Sequence, residues 1–199
     1  MKKLNCFKTQ IYKSHLNLTS PKVKILHDEA LFVSKRDSKG IDWSEQNYPF
    51  GYTSYYSIPK IDLFSKSYEK VVHLITPHLD NYIKILDFDL KTKDLHLSSF
   101  WINVMNQGCR HPWHNHPLSV ISGTIYLTNT TDKTAIRFED PRQPFFMARP
   151  ALKKPQSLYL SEKTNAGDII LFESWLKHEV PPVISTKPRV SLSFNFDLK

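Results

Sequence analysis

Hydrophobic residues recur along this chain with two different periods, and the change between them divides it. Between residues 62 and 86, Phe64, Tyr68, Val71, Val72, Ile75, Leu79, Tyr82 and Ile83 recur at helical spacing. One apolar face of this kind predicts a helix packed against the outside of a sheet. Pro77 lies inside the pattern, where its missing N–H and its ring predict a kink or a break. From about residue 94 the period drops towards two. Strands are expected at Leu95–Met105, Ser119–Leu127, Thr134–Phe138, Ser157–Leu160, Asp168–Phe172 and Arg189–Phe196. Turn signals separate them: Asn129-Thr130-Thr131-Asp132, Asp140-Pro141-Arg142, Ala166-Gly167-Asp168 and Pro181-Pro182. Many short strands with prolines between them predict a jelly-roll-like barrel.

Residues 1–57 hold neither period for long, and irregular structure is expected there. Short apolar stretches such as Ala30-Leu31-Phe32-Val33 alternate with polar turns, and Asp37-Ser38-Lys39-Gly40 reads as one such turn. Gly51-Tyr52-Thr53-Ser54-Tyr55-Tyr56 is aromatic and β-prone, either a strand or a loop that covers a site. The whole reads as a mainly-β single domain over 1–199. Residues 1–93 form an N-terminal extension with one or more supporting helices, and 94–199 form the barrel core.

Composition adds bounds. The 199 residues are 40% hydrophobic and 23% charged, as in a packed globule. The net charge of +8 suits a basic surface or an acidic substrate. The lysines are scattered, with Lys2-Lys3 and Lys153-Lys154 the adjacent pairs, so no arm or stripe for nucleic acid is expected. Cys6 and Cys109 make no disulfide framework, and the reducing cytoplasm is the expected compartment. Cys109 reads either as a reactive bystander near His114 or as a small buried thiol. No apolar run has bilayer length, and no continuous apolar core follows Met1-Lys2-Lys3, so neither a membrane span nor a signal peptide is expected. A homodimer is the default expectation for assembly.

The candidate chemistry sits late in the chain. His114 and His116 occupy alternate positions, so on a strand both imidazoles point the same way. His178, after the buried run Asp168–Phe172, could close a facial set of three around iron, zinc, copper or nickel. A surface pair and a structural histidine are the plainer readings, and His111 could replace one member. Glu139 or Asp140 could complete a two-histidine, one-carboxylate set, although Asp140-Pro141-Arg142 also reads as a turn ending a strand. In the last strand Arg189, Ser191, Ser193 and Asn195 alternate with Val190, Leu192, Phe194 and Phe196. Its polar face would line a wet cavity in a barrel, or lie exposed with a solvated arginine. A guanidinium fork with a hydroxyl two residues on suits a carboxylate. Together these residues point to a redox-metal site with an anionic co-substrate beside it. Trp101, Trp113, Trp175 and Tyr52 are candidates for an aromatic pocket wall or for core packing.

The order of these motifs resembles a known family. Trp113–Pro117, Ser122–Leu127, Phe138–Arg142, Ala166–Phe172, Trp175–His178 and Arg189–Asn195 are similar to the Fe(II)/2-oxoglutarate-dependent oxygenases of bacteria and phages, proteins of the double-stranded β-helix class. The resemblance covers about residues 95–197, and Gly51–Tyr55 fits more weakly. It implies Fe(II) held by His114, His116 and His178, and 2-oxoglutarate held by Arg189 with Ser191 as helper. Asn103 and Tyr126, on strands flanking the metal motif, would add hydrogen bonds. The implied activity is hydroxylation of an unidentified substrate by O2, releasing succinate and CO2, with no catalytic residue beyond the metal ligands. The family's usual His-x-Asp/Glu is here His114-x-His116, a histidine in place of the carboxylate. Two further readings share the barrel. In a cupin-type metal enzyme, Gly108 and His114-x-His116 would begin the metal motif, though its following glutamate is missing and Arg189 has no task. The other is a non-catalytic barrel used for binding.

Overall fold

The computed structural model describes residues 6–90, 94–142 and 157–199; Lys2, Lys3, Lys153 and Lys154 lie outside these stretches. The chain begins with β1 (Ile11–His15), α1 (Ser20–Val33), α2 (Ser38–Asn47) and β2 (Gly51–Thr53). A single 3-10 turn at Ile61–Leu63 leads into α3 (Lys66–Leu86). The barrel follows as β3 (Leu95–Met105), β4 (His111–His114), β5 (Ile121–Tyr126), β6 (Ile136–Glu139), β7 (Tyr159–Glu162), β8 (Asp168–Glu173), β9 (His178–Val180) and β10 (Arg189–Leu198). All pairings between these strands are antiparallel, in one sheet ordered β1-β8-β5-β10-β3-β2 and another ordered β4-β9-β6-β7. Tyr126, Ile136, Phe138, Ile170, Phe172 and Leu176 form one buried cluster drawn from both sheets. The architecture is a double-stranded β-helix, mainly β with helices at its flank.

The larger sheet sorts its side chains by alternation. Ile102, Val104, Ile125, Leu192 and Phe194 share a core with Leu26 and Ala30 of α1 and Tyr68, Ile75 and Tyr82 of α3. Their neighbours on the same strands, Trp101, Asn103, Thr124, Arg189, Ser191 and Ser193, line a cavity inside the barrel. The apolar face expected for the last strand therefore packs on helices, and the polar face is the interior one. Gly123 on β5 makes room for this packing. A Cβ there would stand 2.3 Å from Cζ of Phe194 and 2.7 Å from Cδ2 of Leu171. Gly123→Ala overpacks this layer and should cost about 1–3 kcal/mol, read as a lower denaturant midpoint at unchanged slope.

Several expectations are corrected by the fold. α3 runs unbroken through Pro77, which is exposed, while Tyr68, Val71, Ile75, Leu79 and Tyr82 are buried as the period requires. Phe64 precedes the helix and is 75% exposed, so it is not part of that face. The first 57 residues are not irregular, since they hold α1 and α2. In α1 the buried residues Val23, Leu26 and Ala30 do keep helical spacing, but the exposed Ile25 and Phe32 blur it. The turn read at Asp37–Gly40 is the cap of α2, where Asp37 accepts the Gly40 N–H at 3.1 Å. Asp37 also accepts the hydroxyls of Tyr52 and Ser57, tying the start of α2 to β2 and to the segment after it. β1 pairs with β8 and β2 with β3, so the N-terminal segment closes both edges of the larger sheet.

Candidate metal centre

Two short strands carry the histidines. β4 and β9 pair antiparallel with His114 directly opposite His178, and the register shifts between His111 and His114. β4 ends at His114, so His116 is not on the strand as expected. It lies just beyond, where its N–H donates to the Ser174 carbonyl at 3.0 Å. One ring nitrogen from each of His114, His116 and His178 lies within 4.8 Å of the others, and among the described residues these three form the metal-competent cluster.

The other ring nitrogen of each histidine is already engaged. Nδ1 of His114 meets the Pro112 carbonyl at 2.8 Å, and Nδ1 of His178 meets the Leu176 carbonyl at 2.9 Å. Nδ1 of His116 meets Oδ1 of Asn195 at 2.6 Å. Each acceptor is an oxygen without a proton, so each Nδ1 carries hydrogen and each Nε2 keeps a lone pair. Asn195 is itself held by Ser122, whose hydroxyl donates to Oδ1 at 2.8 Å and lies 2.7 Å from Ser174 Oγ. Partners of this kind orient imidazoles towards a metal and fix their tautomers.

Burial holds these rings below the ordinary imidazole range. It lowers His114 to about 4, and it also lowers His116 and, further, His178. His111 falls to about 3, chiefly by burial and then by the neighbouring His114. All four are neutral at pH 7, so a metal meets free lone pairs. An unfolded chain takes up protons near about pH 6.5, before the folded one does. Stability of the metal-free protein is therefore full above that pH and falls as pH drops towards 4. Thermal unfolding across pH 8 to 4 should show a flat Tm above about 7 and a steady loss below 6.5.

Arg189 stands across the cavity from this cluster. It is 6% exposed and meets no carboxylate among the described residues. Its Nη1 lies 3.4 Å from Met105 Sδ and 3.4 Å from Ser191 Oγ, and its Nε has no partner. Asn103 donates through Nδ2 to Ser193 at 3.1 Å and leaves Oδ1 unpartnered. Tyr126 does not line this cavity; its ring lies 5.1 Å from the guanidinium carbon, and its hydroxyl is buried without a partner. Tyr48, which the sequence did not single out, caps the end of α2 and lines the cavity with an unpartnered hydroxyl. Burial keeps both phenols protonated, with Tyr126 pushed to about 12 and Tyr48 raised well above its usual value.

This inner cavity is narrow, about 40 Å³, and is lined by Arg189, Ser191 and all three histidines. An outer cavity of about 590 Å³ shares His114, His116, Trp101, Asn103 and Tyr48 with it. Of the four aromatics considered for a pocket wall, Trp101 lines both cavities. Tyr52 is buried against Asp37, Trp175 is half exposed and Trp113 packs near Tyr159. Trp43, Tyr48, Phe50 and Tyr55 line the outer cavity instead.

The remaining candidates resolve simply. Glu139 pairs with Lys177 at 3.1 Å, and Asp140 receives the Arg142 guanidinium at 2.9 Å in the expected turn. Neither belongs to the histidine cluster. His111 stacks on His114 with ring centroids 3.9 Å apart but stays outside the cluster. Cys109 is fully buried, and burial lifts its thiol to about 11, so it is the inert buried thiol.

Residues 99–195 match the family model described as "Putative 2OG-Fe(II) oxygenase". Over these residues, just under half of the chain, the sequence is similar to the 2OG-Fe(II) oxygenases. No curated protein matches the sequence. Solved 2OG oxygenase structures share the fold. HygX from Streptomyces hygroscopicus, with nickel and 2-oxoglutarate bound, superimposes with a TM-score of 0.63 at 11% identity, covering 95% of this chain and 83% of its own. The non-heme alpha ketoglutarate dependent epimerase SnoN from nogalamycin biosynthesis gives 0.64 at 11% identity, covering 95% and 78%. A Pseudomonas putida prolyl-4-hydroxylase gives 0.59 at 12% identity, covering 95% and 92%. No helix among the described residues is long and apolar enough to cross a membrane.

Proposed function

We propose that this oxygenase binds Fe(II) through His114, His116 and His178, and 2-oxoglutarate through Arg189 and Ser191. It hydroxylates an organic substrate: one C–H bond, one 2-oxoglutarate and one O2 become C–OH, succinate and CO2. The observation that carries this reading is the match between spent and unspent polar atoms. Three Nδ1 atoms are spent on fixed acceptors, which leaves three neutral lone pairs converging on one point. Beside them sits a buried cation with no counter-charge among the described residues. Neutral imidazoles suit a divalent transition metal, and three on one face leave positions open for a co-substrate. The bound iron would supply the chemistry of oxygen activation.

The protein's own residues do the placing. Arg189 offers a planar fork to the distal carboxylate, with the Ser191 hydroxyl beside it. Tyr48 and Asn103 add polar contacts in the same cavity, and Tyr126 packs behind the guanidinium. Asn195 holds the His116 ring with its lone pair inward. The free thiols of Cys6 and Cys109 fit a reducing cytoplasm. Anaerobic titration of the iron-loaded protein with 2-oxoglutarate tests the reading. A visible metal-to-ligand charge-transfer band, followed by succinate release in air, is expected. Iron bound with neither band nor succinate would overturn it in favour of a cupin-type metal enzyme.

A further inference from the structure

The outer cavity has a chemical character that the metal site does not require. Its wall is aromatic: Tyr55 stands edge-on to Trp101 at 4.9 Å, with Trp43 and Phe50 nearby. Trp101 in turn lies 6.0 Å from the His116 ring, so this wall leads directly to the metal cluster. Among the described residues no aspartate or glutamate lines the cavity. Apart from the neutral histidines, the one charged group among the described lining residues is Arg110, which is exposed and whose side chain makes no ion pair or hydrogen bond with any described residue. About 590 Å³ of recess is room for a molecule of drug-like size rather than a folded partner.

We propose that the substrate is a small organic anion built on a planar or ring-shaped body, with the ring against Tyr55 and Trp101 and the acidic group facing Arg110. This rests on the oxygenase reading and adds the substrate class. The charge argument is asymmetric. A cationic substrate would meet Arg110 with no acid among the described lining residues to receive it. An anion meets a free guanidinium and a field of its own preferred sign. The chain's net charge of +8 points the same way.

The test uses three ligands that share one ring body: 2-naphthylacetate, its primary amide and 2-naphthylethylamine. Calorimetric titration is done on the metal-loaded protein without oxygen, with 2-oxoglutarate in excess so that Arg189 is already engaged. The acetate should bind about 2- to 5-fold more tightly than the amide, and the amine most weakly, a range expected of an exposed charge pair. Arg110→Gln should erase the preference and Arg110→Glu should reverse it towards the amine. Tyr55→Ala should weaken all three ligands alike, because it removes ring contact and leaves the charge. Equal binding of all three, a preference that survives Arg110→Gln, or no binding of any would each overturn the inference. The 2-oxoglutarate charge-transfer band is read in the same samples. A missing band beside an intact Arg110-dependent preference would sink the oxygenase reading and leave the anion pocket standing.

Discussion

His178→Ala is expected to abolish stable iron(II) binding. The ring sits 4% exposed, opposite His114 across the β4–β9 pair, with centroids 4.2 Å apart. Its loss leaves one ligand at the end of β4 and one just beyond it, and opens one side of the cluster to the apolar rings of Phe138 and Phe172, which cannot coordinate. Losing a residue that merely orients a ligand typically costs about 10–100-fold in metal affinity, and losing the ligand itself should exceed that. The same substitution leaves a void beside those rings, so some loss of stability accompanies it. His114→Ala separates the two effects, since His114 is only half buried. Both variants should retain native circular dichroism at 20 °C and elute from a desalting column without iron. Stoichiometric iron with an unchanged dissociation constant in either variant would refute the three-histidine centre.

The sequence revealed this centre unevenly, for physical reasons. Strands β3, β8 and β10 announce themselves by alternation or by a continuous apolar run, because one or both faces are buried. β4 and β9 give no such signal. One has a proline and a register shift, the other has three residues, and both exist because they pair with each other and β9 with β6. They carry His114 and His178, which the sequence offered through the alternation of His114 with His116 and through the buried run before His178 rather than through any hydrophobic pattern of β4 or β9 themselves. Their outer partners were invisible. Asn195 was legible as a polar position on β10, but its bond to His116 depends on a bulge between Asn195 and Phe196 and on a loop far away in sequence. Tyr48 was missed because it caps α2, a helix whose polar length has no apolar period to read. The aromatic wall was legible only in part: Trp101 was named for it and Tyr55 lay in the stretch read as a strand or a site cover, but only tertiary packing brings Trp43 and Tyr55 of the N-terminal segment to the same cavity as Trp101.

Arg189→Met separates function from stability most sharply, because the two should move in opposite directions. A guanidinium buried to 6% exposure, with no carboxylate partner among the described residues, costs folding free energy that its contacts with Met105 and Ser191 do not return. Methionine fills similar space without a charge to desolvate. The metal-free variant should therefore unfold at the same temperature as the native protein or above it. Binding of 2-oxoglutarate should instead collapse. Removing one partner of a buried charged pair costs about 2–5 kcal/mol, or roughly 30- to 5,000-fold in affinity. The effect should sit at the high end here. Three neutral histidines leave the charge of a bound dication uncompensated, and a dianionic co-substrate answers both that charge and Arg189. Iron binding itself should be unaffected, since Arg189 touches none of the three rings. Anaerobic titration followed by the charge-transfer band, paired with thermal unfolding of the metal-free protein, reads both quantities. An arginine kept only for packing would lower the unfolding temperature and leave 2-oxoglutarate affinity within about threefold, inside the range of a surface charge. That result would move the co-substrate away from β10.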